Sequence, residues 1–370
     1  MQTPAEIPAA GTAPLRPLVV FDSGHLIERG TDVALWDYAH FNETLLGNRS
    51  VIACPAQAPI PCVDRFRERF SVVLYRDRTD LEWVLRDAAL YYTIAHGHPS
   101  GAPLSRPPRG RTAVHCVFRC DRPHGDVYAA VSDWVADHRG LEGAPRVPVV
   151  PHMIHLDDGD GTNLRAELGI PPHAVVLGRH GGPSTFDLPF VHATVSELVK
   201  HRDDLWFLMW NTQPFCPPHP RIVHLPPTPD PRFKVRFIDA CDAMLHARRE
   251  GETFGLAVGE FSVRGKPVLT WGGSSDRHHL DVLGDRAIVY HEVEDLAEQL
   301  LLWRGPPPPP AGGWDAFSAR FGPEPVMRAF ARVFLASAAT LGRPIPTPAP
   351  AQASEAARPP RRSGLRISSR

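Results

Sequence analysis

Lysine is nearly missing from this chain of 370 residues: it occurs only at Lys200, Lys234 and Lys266, while arginine is plentiful. Any chemistry that needs an amine has three candidates, and the imbalance itself reads as coding bias. Long apolar runs are missing too. Without a stretch of about 18 apolar residues, no membrane-spanning helix is expected. The Pro/Ala-rich start has no basic segment leading into an apolar one, so no signal peptide is expected, and a cytoplasmic location is. The net charge of −1 leaves no excess of either sign to recruit nucleic acid or a membrane surface. Six cysteines (Cys54, Cys62, Cys116, Cys120, Cys216, Cys241) are scattered along the chain, a pattern of reduced thiols rather than a disulfide framework. The glycine-rich Arg179-His180-Gly181-Gly182 lacks the Gly-x-Gly-x-x-Gly order of a dinucleotide fingerprint.

What is present is a soluble globular composition, 43% hydrophobic and 22% charged. The length exceeds one ordinary core, so two domains are expected. Short apolar runs alternate with helical stretches in both halves. Leu18–Phe21, 50–52, 71–75, 91–94 and 112–118 read as strands, with helices over 32–46, 65–69 and 80–85. The pattern restarts with a short helix at Asn163-Leu164-Arg165. Strands at 174–179, 205–210, 221–225, 268–270 and 287–290 follow, around a helix over 190–200. Such alternation argues for parallel, doubly wound sheets. The expected division is a disordered leader (1–16), a first domain (17–150) and a second domain (151–305). A spacer with Pro306–Pro310 and a final helix Trp314–Phe334 then occupies 306–342, followed by a disordered Pro/Arg tail (343–370).

The most informative stretch is CDAMLHARREGETFGLAVGEFSVRGKPVLTW, Cys241–Trp271. DAML reads as a strand ending near His246, and LAVGEFSVRG as a helix opening at Phe254 or Gly255. Glu252 then precedes the helix and Glu260 lies about two turns along it. A helix start offers free N–H groups to an anion, and two carboxylates accept hydrogen bonds from hydroxyls. Together these suit a sugar nucleotide. The spacing alone means little, because glutamates two turns apart usually sit on a solvated face.

Glu252-Thr253-Phe254-Gly255-Leu256, Glu260 and Gly265-Lys266-Pro267-Val268 resemble the Glu-x7-Glu motif of the family-4 retaining glycosyltransferases. ERGTDVALWDYAHFNE (Glu28–Glu43), GRHGGPSTFDLPFVH (Gly178–His192) and CDAMLHAR (Cys241–Arg248) resemble a subgroup of them found in microbial and large-virus genomes. The resemblance spans roughly residues 18–300. It implies a GT-B architecture: two Rossmann-like doubly wound α/β domains facing each other across a cleft, the first taking the acceptor and the second the donor. It implies a retaining, hexosyltransferase-type enzyme acting on a nucleotide sugar (UDP-, GDP- or ADP-linked), with a glycan, lipid or small molecule as acceptor. No permanently bound cofactor and no metal are expected.

The resemblance also implies roles. Glu260 would meet the donor ribose, Glu252 the transferred sugar, and the backbone of Phe254, Gly255 and Leu256 the sugar and diphosphate. Arg179 would bind the diphosphate and Gly30-Thr31 would bring amides to it. His115 would lie near the reacting sugar, and His246 and Arg248 would line the donor pocket. The chain departs from the family in one place. Where a lysine usually follows the arginine by about five residues, this chain has Ser184 and Thr185, and Lys266 is the nearest lysine in the motif.

Read from the residues alone, other roles stay open. Arg179 could be a salt-bridge residue, His115 a satisfied core histidine, and His246 and Arg248 strand-end caps. Cys116 and Cys120 beside His115 and His124 lie on strand spacing that sends their side chains to different faces, against zinc. The alternatives for function are a non-catalytic sugar-nucleotide-binding protein of this fold, or a phosphorylase or epimerase built on it.

Overall fold

A computed structural model of the chain describes residues 16–99, 104–228 and 230–336. The tail and all but residue 16 of the leader lie outside the described residues. The first half carries β1 (Leu18–Asp22), α1 (Gly30–Thr44), β2 (Arg49–Pro55), α2 (Val63–Arg67), β3 (Ser71–Tyr75), α3 (Arg78–Leu85), β4 (Leu90–Ala95), β5 (Arg111–Cys116), β6 (Val127–Ala130) and α4 (Asp133–His138). The second begins with β7 (Val175–His180), α5 (Pro189–His201), β8 (Leu205–Trp210), β9 (Ile222–Leu225), α6 (Pro231–Ala240) and β10 (Ala243–His246). It continues through β11 (Gly251–Glu252), α7 (Leu256–Val263), β12 (Val268–Trp271), β13 (Asp276–Arg277), α8 (His278–Leu283), β14 (Ala287–Tyr290) and α9 (Val293–Leu302). Two short helices, α10 (Ser318–Phe321) and α11 (Pro323–Phe330), follow.

The apolar runs become strands because helices cover both faces of each sheet; every residue of β7, for instance, is buried. Asp77, Ser132 and Asp230 cap α3, α4 and α6 by accepting from backbone amides of the first turn. Helices α1 and α7 start without any side-chain cap. The six strands of the first half run in the order β3-β2-β1-β4-β5-β6, and those of the second in the matching order β9-β8-β7-β10-β12-β14. All ten strand pairs in the two sheets are parallel. In each sheet the order reverses beside the first strand, between β1 and β4 and between β7 and β10. Open sheets of this kind bind ligands there, beyond the carboxyl ends of the strands.

One apolar cluster joins the halves: Val114, Cys116, Val131 and Val135 pack with Val176, Phe237, Phe254 and Phe261. Polar ties reinforce it. Trp134 Nε1 and Arg139 donate to Asp276 at 2.8–3.0 Å, and Ser132 Oγ donates to the Thr253 carbonyl. Phe317 and Phe321 join this shared cluster, while Val326, Met327, Phe330 and Phe334 fill the core of the first half. The chain therefore crosses back to the first half at its end.

That helix is not continuous. It breaks at Gly322-Pro323, where Gly322 is extended (φ −67°, ψ 165°), and it closes in a wide turn over Ala331–Leu335. Pro323 cannot donate to a preceding turn and opens a new helix instead. Asn163-Leu164-Arg165 does not open a regular helix either. The Asn163 side chain takes the Arg165 amide at 3.0 Å, a local bond that competes with helical pairing.

The two-residue strands β11 and β13 hold Glu252 in place beside the second sheet. Gly251 enters this pairing at φ +74°, and a methyl group there would run into the Asp276 carbonyl and Ser274 Cβ. Gly251→Ala is expected to lower stability by about 1–3 kcal/mol through backbone strain, read as a lower urea midpoint at unchanged slope.

Candidate active site

Between the carboxyl edges of the two sheets lies a cleft of about 610 Å³, within the range of small-molecule sites. Its walls come from both halves. The first contributes the start of α1, Trp36 and Asp37 on the same helix, Phe118 beyond β5, and His152 and His155 on the connecting segment. The second contributes the loop Arg179–Thr185, Lys234, His246, Arg248 and the stretch 252–257 with Glu260. Gly30 opens α1 opposite α7, where a side chain would press on Leu256 Cδ1. Two uncapped helix starts thus face one space, and both aim partial positive charge into it.

Glu252 sits at the mouth of α7. His246 Nε2 donates to its Oε1 (3.2 Å) and Arg248 Nη1 to its Oε2 (3.0 Å). Burial pushes its carboxyl upward, but the His246 bond and the Arg248 charge outweigh it and hold the group at about 2. Gly255 precedes α7 at φ +93°, with Glu252 Cβ and His279 Cβ close enough that any Cβ would crowd both. The helix begins one residue later than the latest start read from the sequence, because this left-handed turn comes first.

Glu260 lies on the buried face of α7. Lys234 Nζ donates to its Oε1 at 2.6 Å, and His180 Nε2 lies 3.1 Å from Oε2. Here too burial acts upward, and the Lys234 charge and His180 bond hold the carboxyl at about 2. Both glutamates are ionised in walls that remove most of their water.

Arg179, at the end of β7, is 3% exposed and lines the cleft. It donates to Thr212 Oγ1 (2.5 Å), Gly182 O (2.8 Å), Asn211 O (3.3 Å) and Thr185 Oγ1 (2.5 Å), all neutral. No carboxylate pairs with it among the described residues. Burial pulls the guanidinium down to about 10, and the charge of Glu252 opposes that pull. A buried cation bound only by neutral acceptors retains attraction for an anion in the cleft.

No protein-family model matches the sequence, and no curated protein does. Solved structures are similar over nearly the whole chain. HepE of Anabaena, in complex with UDP and glucose, shares 13% identity, covering 86% of this chain and 99% of its own at a TM-score of 0.62. AviGT4, a glycosyltransferase involved in avilamycin A biosynthesis, shares 15%, covering 89% and 99%, at 0.54. A putative UDP-N-acetylglucosamine 2-epimerase from Listeria monocytogenes shares 12%, covering 86% and 96%, at 0.53. The fold is GT-B.

The GT-B cleft gathers Gly30, Thr31, Arg179, His246, Arg248, Glu252, Phe254, Gly255, Leu256 and Glu260. Two residues singled out from the sequence are placed elsewhere. The Lys266 ammonium donates to the Cys241 carbonyl at 2.6 Å, fastening the turn before β12 at the opposite end of the strand from the cleft. His115 is fully buried in the first half: its Nε2–H donates to the Val150 carbonyl (2.7 Å), so Nδ1 accepts the Tyr92 hydroxyl (2.7 Å). Burial lowers it to about 4, and it is a neutral core histidine. On the side of the first half it is His152, with His155, that lines the cleft, and His152 packs between His115 and Phe254.

Sequence reasoning missed Lys234, His180 and His152. Lys234 was one of only three lysines, which was a usable signal, but nothing local ties α6 to α7. Among the described residues no helix is long and apolar enough to cross a membrane.

The Glu260 environment has a sign that can be tested. Its pKa is depressed in the fold, so its stabilisation is complete above the ordinary value of 4.5 and is lost as pH falls toward 2. Glu260→Gln is expected to flatten part of that acid loss. Lys234→Met, which removes the main charge depressing this pKa, is expected to lower stability at neutral pH and to shrink the acid loss, both variants being read from urea midpoints along a pH series.

Proposed function

We propose that the chain is a retaining glycosyltransferase moving a sugar from a nucleotide-sugar donor to a glycan, lipid or small-molecule acceptor. The observation that carries this reading is the pair of ionised carboxylates on one cleft wall, Glu252 before α7 and Glu260 within it, with an uncapped helix start between them. A carboxylate only accepts hydrogen bonds, so two of them suit the hydroxyls of a sugar and a ribose. The α7 amides and the Arg179 charge suit the diphosphate joining the two.

In this reading the second half (151–305) is the donor domain and the first (17–150) the acceptor domain. Glu260 receives the ribose hydroxyls and Glu252 those of the transferred sugar. Arg179, with the α7 and α1 starts, stabilises the negative charge that develops on the departing diphosphate, the main lever for breaking the anomeric C–O bond. The acceptor hydroxyl attacks from the face the diphosphate leaves, and a phosphate oxygen takes its proton, so no carboxylate nucleophile is required. Lys234 is a further cation of the site beside Arg179 and Arg248, where Ser184 and Thr185 stand in place of the usual lysine. Asp37, a carboxylate 4% exposed on the cleft's first-half wall with His155 3.8 Å away, offers an acceptor for hydroxyls there.

The fold shared with the Listeria protein supports a second reading, epimerisation of a nucleotide sugar, in which the same groups would hold the same class of ligand.

Incubating purified protein with UDP-, GDP- and ADP-sugars, and analysing products, separates these readings. Release of nucleoside diphosphate with sugar transferred or hydrolysed under retention supports the transferase. An inverted sugar centre with the nucleotide still attached supports the epimerase, and calorimetric binding without turnover leaves a non-catalytic binding protein. Under the first reading Glu252→Gln is expected to lower kcat by about 100–1000-fold while nucleoside diphosphate affinity changes little.

A further inference from the structure

Behind Glu252 runs a chain of buried polar groups that the reaction as described does not use. Thr270 on β12 is the register partner of His246 on β10, and its Oγ1 lies 2.9 Å from His246 Nδ1. The same Oγ1 lies 3.1 Å from His279 Nε2 at the start of α8. His246 Nε2 in turn reaches Glu252 Oε1 at 3.2 Å. Thr270 and His279 have no exposed surface, and His279 Nδ1 is buried without a hydrogen-bond partner among the described residues.

Proton counting gives the chain one direction. Glu252 is ionised and can only accept, so His246 carries a proton on Nε2. The Thr270 hydroxyl has one proton to give and can accept from the other ring. If it donates to His246 Nδ1, it accepts from His279 Nε2–H, and the group left unpaired is a bare ring lone pair, His279 Nδ1. If His246 were instead protonated on Nδ1 as well, an N–H of His279 or the Thr270 hydroxyl would be stranded as a buried donor. Buried orphan donors are rarer and costlier than unsatisfied acceptors.

We propose that Thr270 and His279 are positioning residues that lock His246 in its Nε2–H tautomer and so fix the carboxylate of Glu252 toward the sugar. The direction of donation runs from His279 through Thr270 and His246 to Glu252. Arg248 holds the second carboxylate oxygen, so both oxygens are tethered. A Cβ at Gly255 would crowd both Glu252 and His279, so glycine there leaves room for each. The catalytic consequence rests on the transferase reading, whereas the tautomer lock stands on the geometry alone.

The test has two arms on the full-length protein. Nitrogen-15 NMR of histidine-labelled protein at neutral pH is expected to show His246 with one pyrrole-like Nε2 and one pyridine-like Nδ1. Thr270→Val, equal in shape and without the hydroxyl, is expected to leave the ring held by Glu252 alone, so that the Nε2 proton exchanges faster with solvent and its signal broadens, and Thr270→Ser to restore it. A wild-type His246 protonated on Nδ1, or a Thr270→Val spectrum unchanged from wild type, overturns the lock. In the second arm, retaining turnover of UDP-glucose is expected to fall roughly 10–100-fold in kcat in Thr270→Val, with donor KM nearly unchanged and recovery in Thr270→Ser. Wild-type kinetics in Thr270→Val despite a broadened Nε2 signal would overturn the positioning role. Absence of turnover in the wild type with the NMR pattern intact would count against the transferase reading and leave the lock standing.

Discussion

A carboxylate stripped of most of its water stays ionised only if fixed donors and cations replace that water. The cleft of this protein is organised by that demand, met twice. Glu252 is answered by His246 and Arg248 and Glu260 by Lys234 and His180, each pair drawn from a strand end and a neighbouring loop or helix. The parallel sheet sets the positions: β7 and β10 are adjacent, so His180 and His246 emerge from neighbouring strand ends below α7. The uncapped start of α7 lies between the two carboxylates, which leaves its amides for a ligand.

The surrounding packing keeps these groups where they are. Phe254 and Phe261 fix the two ends of α7 in the cluster shared by both halves, and Phe317 on the returning segment packs there too. Ile154, just beyond His152, lies against Gly259, so the connecting segment packs directly on the helix carrying Glu260. Charge and packing therefore act on one element. A change that tilts α7 alters both carboxylates at once, and one that removes their counter-charges leaves α7 packed around an unpaired ion.

Much of the architecture was legible in the sequence, and the misses have local causes. Strands such as 71–75, 205–210 and 287–290 match the apolar runs residue for residue, because strands of a helix-covered parallel sheet draw on unbroken apolar segments, the buried β8 and the half-buried edge strands β3 and β14 alike. The break at Gly322-Pro323 was written in those two residues, yet the strong periodicity on either side masked it. At Asn163 a side-chain bond replaced the helical one, which periodicity does not register. Within the motif, Glu252 and Glu260 were readable because both they and the helix start belong to one short segment.

The sequence by itself determined the alternation of strands and helices, the doubly wound class and the acidic couple around α7, since each depends on neighbours within about two turns of chain. Tertiary structure alone decided which lysine faces the cleft, and that His152 rather than His115 lines it. Lys266 is six residues from Glu260 and turns away to a carbonyl, whereas Lys234, 26 residues off, reaches it at 2.6 Å. His115 is sealed in the core, and His152, carried on the connection between the sheets, takes the wall. Those assignments follow from how two helices pack and how two halves meet, and distance along the chain carries no record of either.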